Sequence, residues 1–330
     1  MQHKRKNVKE KDSFKSATVF LKKFFEFEES KPLTALIALF IGSSIISPHF
    51  LTWYNQRILL LQMAPLAMLA LGEAAVILMG SIDLSPGSVM ALSGTVAAIA
   101  LVYWHMPVGV AVVVGMLTGA LCGLINGLLV TKAKIPSFVA TLAILVAGRG
   151  MVLIITGGTP VVGLKPFTFL TSDIAFLPSM VWIAILATIF TFFLLRLTKI
   201  GREVYAIGGN EDAARYSGVN ADLTKVIIFT MAGVLYAISG LMMNARLEVA
   251  YPWTGWGYEL DAIAAAVLGG VQLTGGVGST LGSVIGAYIL TLITNILILL
   301  GVNPYYQWVV KGAILAIAAT VLTRGLRYVK

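Results

Sequence analysis

The sequence has few cysteines, few histidines and few charged residues, and each shortage excludes a class of protein. Cys122 is the only cysteine among the 330 residues, so no disulfide can form within the chain. The three histidines, His3, His49 and His105, lie far apart and give no metal-ligand spacing. Charged residues make up 12% of the chain, about half the fraction found in soluble domains, which excludes a soluble globule.

Hydrophobic residues are abundant instead, at 58% of the chain, and the mean hydropathy is +0.89. They form separate apolar runs of roughly 15 to 25 residues, the length that a helical membrane span requires. The sequence therefore predicts an all-α integral membrane protein with about ten transmembrane helices. The predicted spans are residues 33–48, 58–79, 86–104, 107–130, 136–157, 179–197, 223–245, 259–272, 277–300 and 307–323. The eighth is short and carries Asp261, so we expect a broken or re-entrant segment there.

The net charge of +9 is distributed in a way that indicates membrane orientation rather than nucleic-acid binding. Nine basic residues fall within residues 1–31, which we interpret as a cytoplasmic N-terminal segment ahead of a single transmembrane domain, residues 32–330. With ten crossings, 19 basic residues lie on the N-terminal side and three on the other. The positive-inside rule then places both termini in the cytoplasm of a multi-pass cell-membrane protein, and Trp and Tyr cluster at the predicted outer ends.

Two sets of glycines recur at every fourth residue, which gives a helix a smooth stripe for close packing. Packing within the membrane is the favoured interpretation of both stripes, over a direct role in transport. The predicted packing glycines are Gly115, Gly119, Gly123 and Gly127 in one span, and Gly278, Gly282 and Gly286 in another.

Residues 201–220 form the longest polar stretch between apolar spans, inside the loop of residues 198–222. Asn210 is a suitable N-cap, Glu211 and Asp212 favour the positive end of a helix dipole, and Gly218 is a suitable stop. The pattern predicts a capped helix of about two turns that is presented to a partner outside the chain. An ordinary solvated loop with chance capping fits these residues equally well.

Two loop segments resemble one another and indicate a weak internal repeat. Residues 80–88 and residues 270–279 each follow an apolar run and end in Gly-Ser before the next span. Paired broken segments often line the pathway of a transporter. In the first segment, Ser85 is placed to cap a helix that begins at Pro86, with Asp83 near its free amides. This segment is either a gate element or simply a helix start.

Few ionisable residues lie away from the end residues of the predicted spans, and the candidates are Glu73, Arg149, Asp261 and Lys311. Such residues indicate function by default, although Glu73 and Arg149 are able to pair with one another. Glu73 alone suits an ion-driven carrier, so energy is expected from outside the spans. The glycine-rich residues 275–280 lack the lysine of a phosphate loop. We therefore expect no enzyme activity and no cofactor bound by this chain.

Several motifs in order, from about residue 51 to residue 322, resemble the permease subunits of ribose-type sugar ABC importers, within the branched-chain amino acid/ribose permease superfamily. They are GSIDLSPGS, the Gly148, Arg149, Gly150 cluster, GREVYAIGGNEDAARYSGVN, LDAIAAAVLGGVQLTGGVGS and NPYYQWVVKG. The chain departs from the commoner family pattern at Ser81 and Pro86, which leaves the shape of the first broken segment open.

This resemblance implies the fold of an ABC importer permease and the partners of one. They are a separate ATPase subunit that holds ATP and Mg²⁺, an extracellular or periplasmic sugar-binding protein, and a second permease copy, identical or closely related. The polar stretch would be the coupling helix that docks on the ATPase. The implied ATPase-coupling residues are Gly201, Arg202, Gly208, Gly209, Asn210, Glu211, Asp212, Ala213, Ala214, Arg215, Ser217 and Gly218.

The resemblance implies import of a monosaccharide such as a pentose, with another small polar solute (a polyol or a signalling furanose) as the alternative cargo. An ion-coupled secondary carrier, or a channel acting alone, is the alternative mechanism. Buried amides suit a hydroxyl-rich solute, but packing hydrogen bonds explain them equally well. The candidate pathway residues are Asp83, Ser85, Asn126, Arg149, Asn244, Gln272 and Asn295. The outer loop at residues 158–179 is the predicted contact with the binding protein.

Overall fold

The computed structural model of the chain describes residues 29–325, so most of the predicted N-terminal segment, residues 1–31, lies outside the described residues. Its α-helices are, in chain order, α1 Ser30–Ile46, α2 Trp53–Leu78, α3 Pro86–Val102, α4 Val108–Thr131, α5 Ser137–Thr156, α6 Ser179–Leu197, α7 Lys199–Gly209, α8 Glu211–Tyr216, α9 Ala221–Leu247, α10 Tyr258–Leu268, α11 Thr280–Leu299 and α12 Pro304–Gly325. Two-residue strands β1 Val161–Val162, β2 Asp173–Ile174, β3 Leu177–Pro178 and β4 Val249–Ala250, and a 3-10 helix at Lys165–Leu170, complete the described elements.

A helix occupies each of the ten predicted spans. Within residues 29–325, six helices are long and apolar enough to cross a bilayer, namely α2, α4, α5, α6, α9 and α11. Helices α1 and α3 are apolar but only 17 residues long. Helix α10 has 11 residues and covers roughly 16 Å, about half of a hydrocarbon core of about 30 Å. The eighth predicted span is thus a half-length helix followed by a loop.

Helices α2 and α9 form the centre of the bundle. Every residue from 64 to 78 of α2 is buried, and α9 packs against α2, α3 and α4. A helix that is apolar on all sides has no solvent face, so burial on all sides is the arrangement that its sequence favours. The loops at the two ends of α9 therefore sit at opposite ends of the bundle.

The first glycine stripe packs as predicted, with α4 against α9 and α3. A Cβ at Gly119 would overlap the carbonyl of Gly233, and a Cβ at Gly123 would overlap the carbonyl of Phe229. The contact is reciprocal, because a Cβ at Gly233 would overlap Gly119. Glycine on both helices allows their backbones to approach more closely than larger side chains permit.

The second stripe needs a correction at Gly278. Gly282 and Gly286 pack α11 against the backbone of Gly269 and Ala265 in α10 and its C-cap. Gly278 precedes α11 and has a φ of 130°, a conformation that L side chains rarely adopt. It is therefore a loop glycine rather than a member of the helical stripe, and the regular spacing alone did not reveal the helix start.

The predicted outer loop between α5 and α6 is a folded segment. Strand β1 pairs with β4, and β2 pairs with β3, both antiparallel. An ion pair between Arg57 of α2 and Asp173, at 3.0 Å, fixes the loop to the end of the bundle opposite α8. Beyond this anchor, Phe176 at the turn is 82% exposed.

Candidate functional site

Helix α8 is the short capped helix that the sequence predicts. The Asn210 side-chain oxygen accepts a 2.9 Å hydrogen bond from the backbone N–H of Ala213, as an N-cap residue does. Glu211 and Asp212 lie in the first turn, where the helix dipole favours negative charge. Gly218, at a φ of 86°, follows the last turn. Both predicted ends of the helix are confirmed.

Ion pairs tie α8 to the body of the protein. Glu211 accepts hydrogen bonds from Arg215 at 2.8 Å and from Lys225 of α9 at 2.6 Å. Arg215 also pairs with Asp222, whose carboxylate lies 3.5 Å from Lys134 in the loop between α4 and α5. Because the pairs form a connected network across three elements, they hold α8 in one orientation better than isolated surface pairs would.

The ion-pair network lowers the pKa of Glu211. Partial burial acts to raise the pKa of this carboxyl, but the hydrogen bonds and charges of Lys225 and Arg215 outweigh burial and lower the pKa below its ordinary value of 4.5. Glu211 is therefore ionised at neutral pH and holds both cations.

The side chains of α8 divide into an inner and an outer set. Ala214 is 5% exposed and packs inward, so it supports α8 and does not face a partner, contrary to its place among the implied docking residues. Asp212 and Ala213 face outward. Tyr216, which sequence reasoning left out, is 93% exposed. An aromatic residue inside the polar stretch was the available signal, since tyrosine is common at the energetic centres of interfaces.

Helix α7, which immediately precedes α8, packs against the two broken segments. Gly208 lies so close to the carbonyl of Leu78 and the amide of Gly276 that a Cβ there would overlap both. Gly201 is equally close to the carbonyl of Leu195 at the joint between α6 and α7. Arg202 and Gly209 are exposed.

The two broken segments that resemble one another in sequence meet beneath α7. The backbone N–H of Gly276 donates a 2.9 Å hydrogen bond to Leu78 at the end of α2, and a Cβ at Gly275 would overlap the backbone of Gly80. The Tyr205 hydroxyl of α7 donates to the carbonyl of Gly278 at 2.9 Å. We call this contact of residues 78–80, 205–209 and 275–278 the glycine junction.

A buried polar network lies behind the first broken segment. Asp83 accepts hydrogen bonds from the Ser85 amide at 2.7 Å and the Ser85 hydroxyl at 2.6 Å. Asn126 of α4 donates to the Ser85 hydroxyl at 3.0 Å. The Glu73 carboxylate accepts from the Asp83 amide and from the Tyr236 hydroxyl, both at 3.3 Å. Ser85 occupies the predicted N-cap position, but its hydroxyl bonds Asp83 instead of capping α3.

Arg149 does not pair with Glu73, so that expectation is wrong. Its guanidinium donates a 2.6 Å hydrogen bond to the carbonyl of Thr254 and lies 5.7 Å from the ring centre of Trp256. The carboxylate of Glu259 faces the same position, above Gly87. Arg149 thus connects α5 to the loop between α9 and α10.

The candidate pathway amides are not brought together. Asn244 donates to the carbonyl of Gly94 at 2.7 Å, which joins α9 to α3. Asn295 and Asn55 exchange two hydrogen bonds, at 2.8 and 3.1 Å, between α11 and α2. Gln272 lies in the second broken segment. Packing hydrogen bonds therefore account for Asn244 and Asn295, whereas the buried side-chain oxygen of Asn126 has no hydrogen-bond partner within the described residues. In the same part of the chain, no cluster of side chains suits a metal ion.

Comparison with known proteins identifies relatives that cover most of the chain. The family model for the branched-chain amino acid transport system / permease component matches residues 57–319. The chain is 40% identical over 299 residues to the ribose import permease of Escherichia coli, covering 89% of this chain and 93% of the relative. It is 43% identical over 291 residues to the ribose import permease of Bacillus subtilis, covering 87% and 90%. The xylose transport system permease of Haemophilus influenzae is 37% identical over 337 residues, covering 83% of this chain and 90% of the relative.

Proposed function

This chain belongs to the branched-chain amino acid transport system / permease component family, and on that premise we propose that it is the permease subunit of an ATP-driven importer for a pentose such as ribose. Relatives that align with this chain over most of their length are ribose and xylose permeases. As a permease component, the chain is not itself an enzyme, and its energy comes from a separate ATPase subunit that carries ATP and Mg²⁺.

The shape of α8 is the observation that carries this proposal. It is a short helix with both ends capped and with ion pairs to its neighbours, and its outer residues are free to meet another protein. A helix of six residues buries too little surface to be a core element. A rigid, exposed projection of this kind suits an ATPase docking site, with Tyr216 as its centre and Asp212 at its edge.

The glycine junction is the proposed route from the ATPase to the membrane. Movement of α8 would shift α7, and α7 touches both broken segments through Gly208 and the Tyr205 hydroxyl. The backbones are packed without intervening side chains at Gly208, so a displacement of α7 would move the end of α2 and the loop between α10 and α11. Packed elements of this kind transmit small displacements as rigid shifts.

The membrane topology follows from the same elements. We take the ten helices α1 to α6 and α9 to α12 as ten crossings, with α10 and its loop as one broken crossing. Lys199, Arg202, Arg215 and Lys225 then lie with α8 on the cytoplasmic side, in keeping with the positive-inside rule. Both termini are cytoplasmic in this arrangement.

The assembly would contain two permease chains, two ATPase subunits and an external sugar-binding protein. The outer loop between α5 and α6 is the proposed contact for the binding protein. Its exposed apolar tip, with Ile174 58% and Phe176 82% exposed, is held in place by the Arg57–Asp173 ion pair, which makes it a preformed surface.

Uptake by proteoliposomes tests the proposal. The permease is reconstituted with its companion ATPase and binding protein, and radiolabelled ribose is measured with ATP, with a non-hydrolysable analogue, or with an ion gradient alone. We expect accumulation only with ATP and all partners present. Accumulation driven by an ion gradient without the ATPase would overturn the importer mechanism. Uptake of a polyol or a furanose derivative, but not of ribose, would retain the mechanism and replace the cargo.

A further inference from the structure

A polar cavity of about 170 Å³ lies among α2, α9, α10, α11 and α12. This is well above the about 10–15 Å³ that a cavity needs to hold one water, so there is room for a small solute. The polar side chains that line it and carry the argument are Gln62, Arg246, Asp261, Thr291, Thr294 and Lys311.

The cavity lies in the half of the bundle remote from α8. Arg246 is in the last turn of α9, a helix that begins next to α8 and runs 27 residues, or roughly 40 Å. Asp261 is in the first turn of α10, whose other end leads to the glycine junction. Both α9 and α10 therefore connect the cavity with the elements that contact α7.

Donors and acceptors converge on this cavity. Lys311 donates a 2.7 Å hydrogen bond to Oδ2 of Asp261, and both side chains line the space. In the described part of the chain, the Arg246 guanidinium has a single hydrogen bond, a 4.0 Å contact with the sulfur of Met243. Its remaining N–H groups are available to a bound molecule, because a guanidinium carries five donors.

The hydroxyls of Thr291 and Thr294 donate to carbonyls of their own helix, at 2.8 and 3.0 Å. Each hydroxyl keeps lone pairs that can accept from a ligand. Leu66, Leu290 and the Tyr258 ring supply apolar wall between these polar groups. Binding sites for small molecules commonly combine an apolar lining with a few oriented polar groups.

We propose that this cavity is a passage site for a neutral, hydroxyl-rich solute of pentose size, reached before the solute passes towards the α8 end. The inference rests on the importer function proposed above and assigns the place of the cargo. A sugar hydroxyl both donates and accepts, so it is matched by a mixed lining that offers Arg246 and Lys311 as donors and Asp261 as acceptor.

Replacement of one hydroxyl tests the site with little change in shape. Thr294→Val removes the cavity hydroxyl, and Thr118→Val is its matched control, since Thr118 is also half-buried and also donates to the carbonyl four residues earlier, at 2.9 Å. In proteoliposomes with the ATPase and binding protein, we expect Thr294→Val to lower ribose transported per ATP hydrolysed by about three- to tenfold. Thr118→Val is expected to leave the ratio unchanged.

A second measurement detects occupancy directly. Cys122→Ala removes the only cysteine, and Thr294→Cys or Thr118→Cys is added to that background in nanodiscs. Millimolar ribose should slow modification of Thr294→Cys by a small methanethiosulfonate and leave Thr118→Cys unaffected. Sucrose, a disaccharide larger than the proposed cargo, should protect neither position.

The outcomes separate the two claims. If the wild-type assembly does not accumulate ribose, the proposed function is wrong. If it does, but Thr294→Val and Thr118→Val behave alike, or ribose gives no protection at position 294, the cavity is not a passage site and the proposed function stands.

Discussion

The backbone N–H of Gly276 donates a 2.9 Å hydrogen bond to the carbonyl of Leu78, and this bond joins two loop segments that lie almost 200 positions apart in the chain. Gly208 of α7 lies directly against both groups. Helix α7, which leads into the proposed ATPase contact α8, therefore packs directly against both broken segments. At position 208 the space between them admits only glycine.

The glycine junction predicts a large effect for one added methyl group at position 208. In Gly208→Ala the Cβ overlaps the Leu78 carbonyl and the Gly276 amide, so α7 has to move away at a cost of about 1–3 kcal/mol. We expect a lower Tm and a loss of ATP-driven ribose uptake. Gly209→Ala is the control, because nothing lies within 4 Å of a Cβ there. Equal behaviour of the two variants would show that the junction is not tightly packed.

The docking interpretation of α8 predicts a specific role for Tyr216. In Tyr216→Ala we expect ATPase affinity to fall by about 2 kcal/mol, or roughly 30-fold, as for an aromatic residue at the centre of an interface. The folded permease should keep its Tm, since Tyr216 is 93% exposed. Tyr54→Ala is the matched control, with a tyrosine that is 76% exposed at the other end of the bundle. Binding of detergent-solubilised permease to immobilised ATPase measures both, and unchanged affinity in Tyr216→Ala would contradict the assignment.

The charge network around Glu211 predicts a pH dependence. Because the pKa of Glu211 in the folded protein is below 4.5, its ion pairs stabilise the folded form above that pH, and this contribution is lost as the pH falls through the folded-state pKa. The side chain is partly exposed, so solvent limits the effect to about 1 kcal/mol or less.

Thermal unfolding between about pH 6 and about pH 3.5 measures this effect. The fall in Tm on acidification should be smaller in Glu211→Gln than in the wild type. Asp212→Asn is the control, because Asp212 is exposed and outside the network of Arg215 and Lys225. A wild-type acid response retained in Glu211→Gln would count against the network.

The reciprocal amide pair between Asn55 and Asn295 predicts a structural effect without a change of cargo. Asn295→Leu leaves the buried Asn55 side-chain oxygen without its donor, while the Asn55 NH2 group keeps its 2.9 Å hydrogen bond to the Phe50 carbonyl, and the change is expected to cost about 1–3 kcal/mol. Asn55→Leu combined with Asn295→Leu removes both polar groups and should recover part of the loss. The relative uptake of ribose and xylose should be the same in every variant. A shift in sugar preference would return Asn295 to the list of pathway residues.

Local signals in the sequence were enough to locate the helices and α8. Each of the ten apolar runs contains a helix, and Asn210 and Gly218 delimit α8, because caps and apolar length act within a few residues of one another. Regular spacing was misleading at Gly278, where the same four-residue period continued into a loop.

Long-range partners were not available from the sequence. The predicted pairing of Glu73 with Arg149 was wrong because Arg149 instead bonds the carbonyl of Thr254. Thr254 lies on the loop between α9 and α10, and no local sequence pattern indicates that this loop packs against α5. The Ser85 hydroxyl bonds Asp83 for a similar reason, since burial of both side chains favours their mutual hydrogen bond over the helix cap. The buried asparagine amides could not be distinguished from one another in the sequence. Only their hydrogen-bond partners in the structure distinguish a packing role from a pathway role.

The side of the membrane on which α8 lies is the most direct test of the whole account. In a Cys122→Ala background, Tyr216→Cys is treated with a membrane-impermeant maleimide in inside-out and right-side-out vesicles. The account predicts labelling only in inside-out vesicles, and protection from labelling when the ATPase is bound. Labelling in right-side-out vesicles, or labelling that the bound ATPase does not slow, would contradict it.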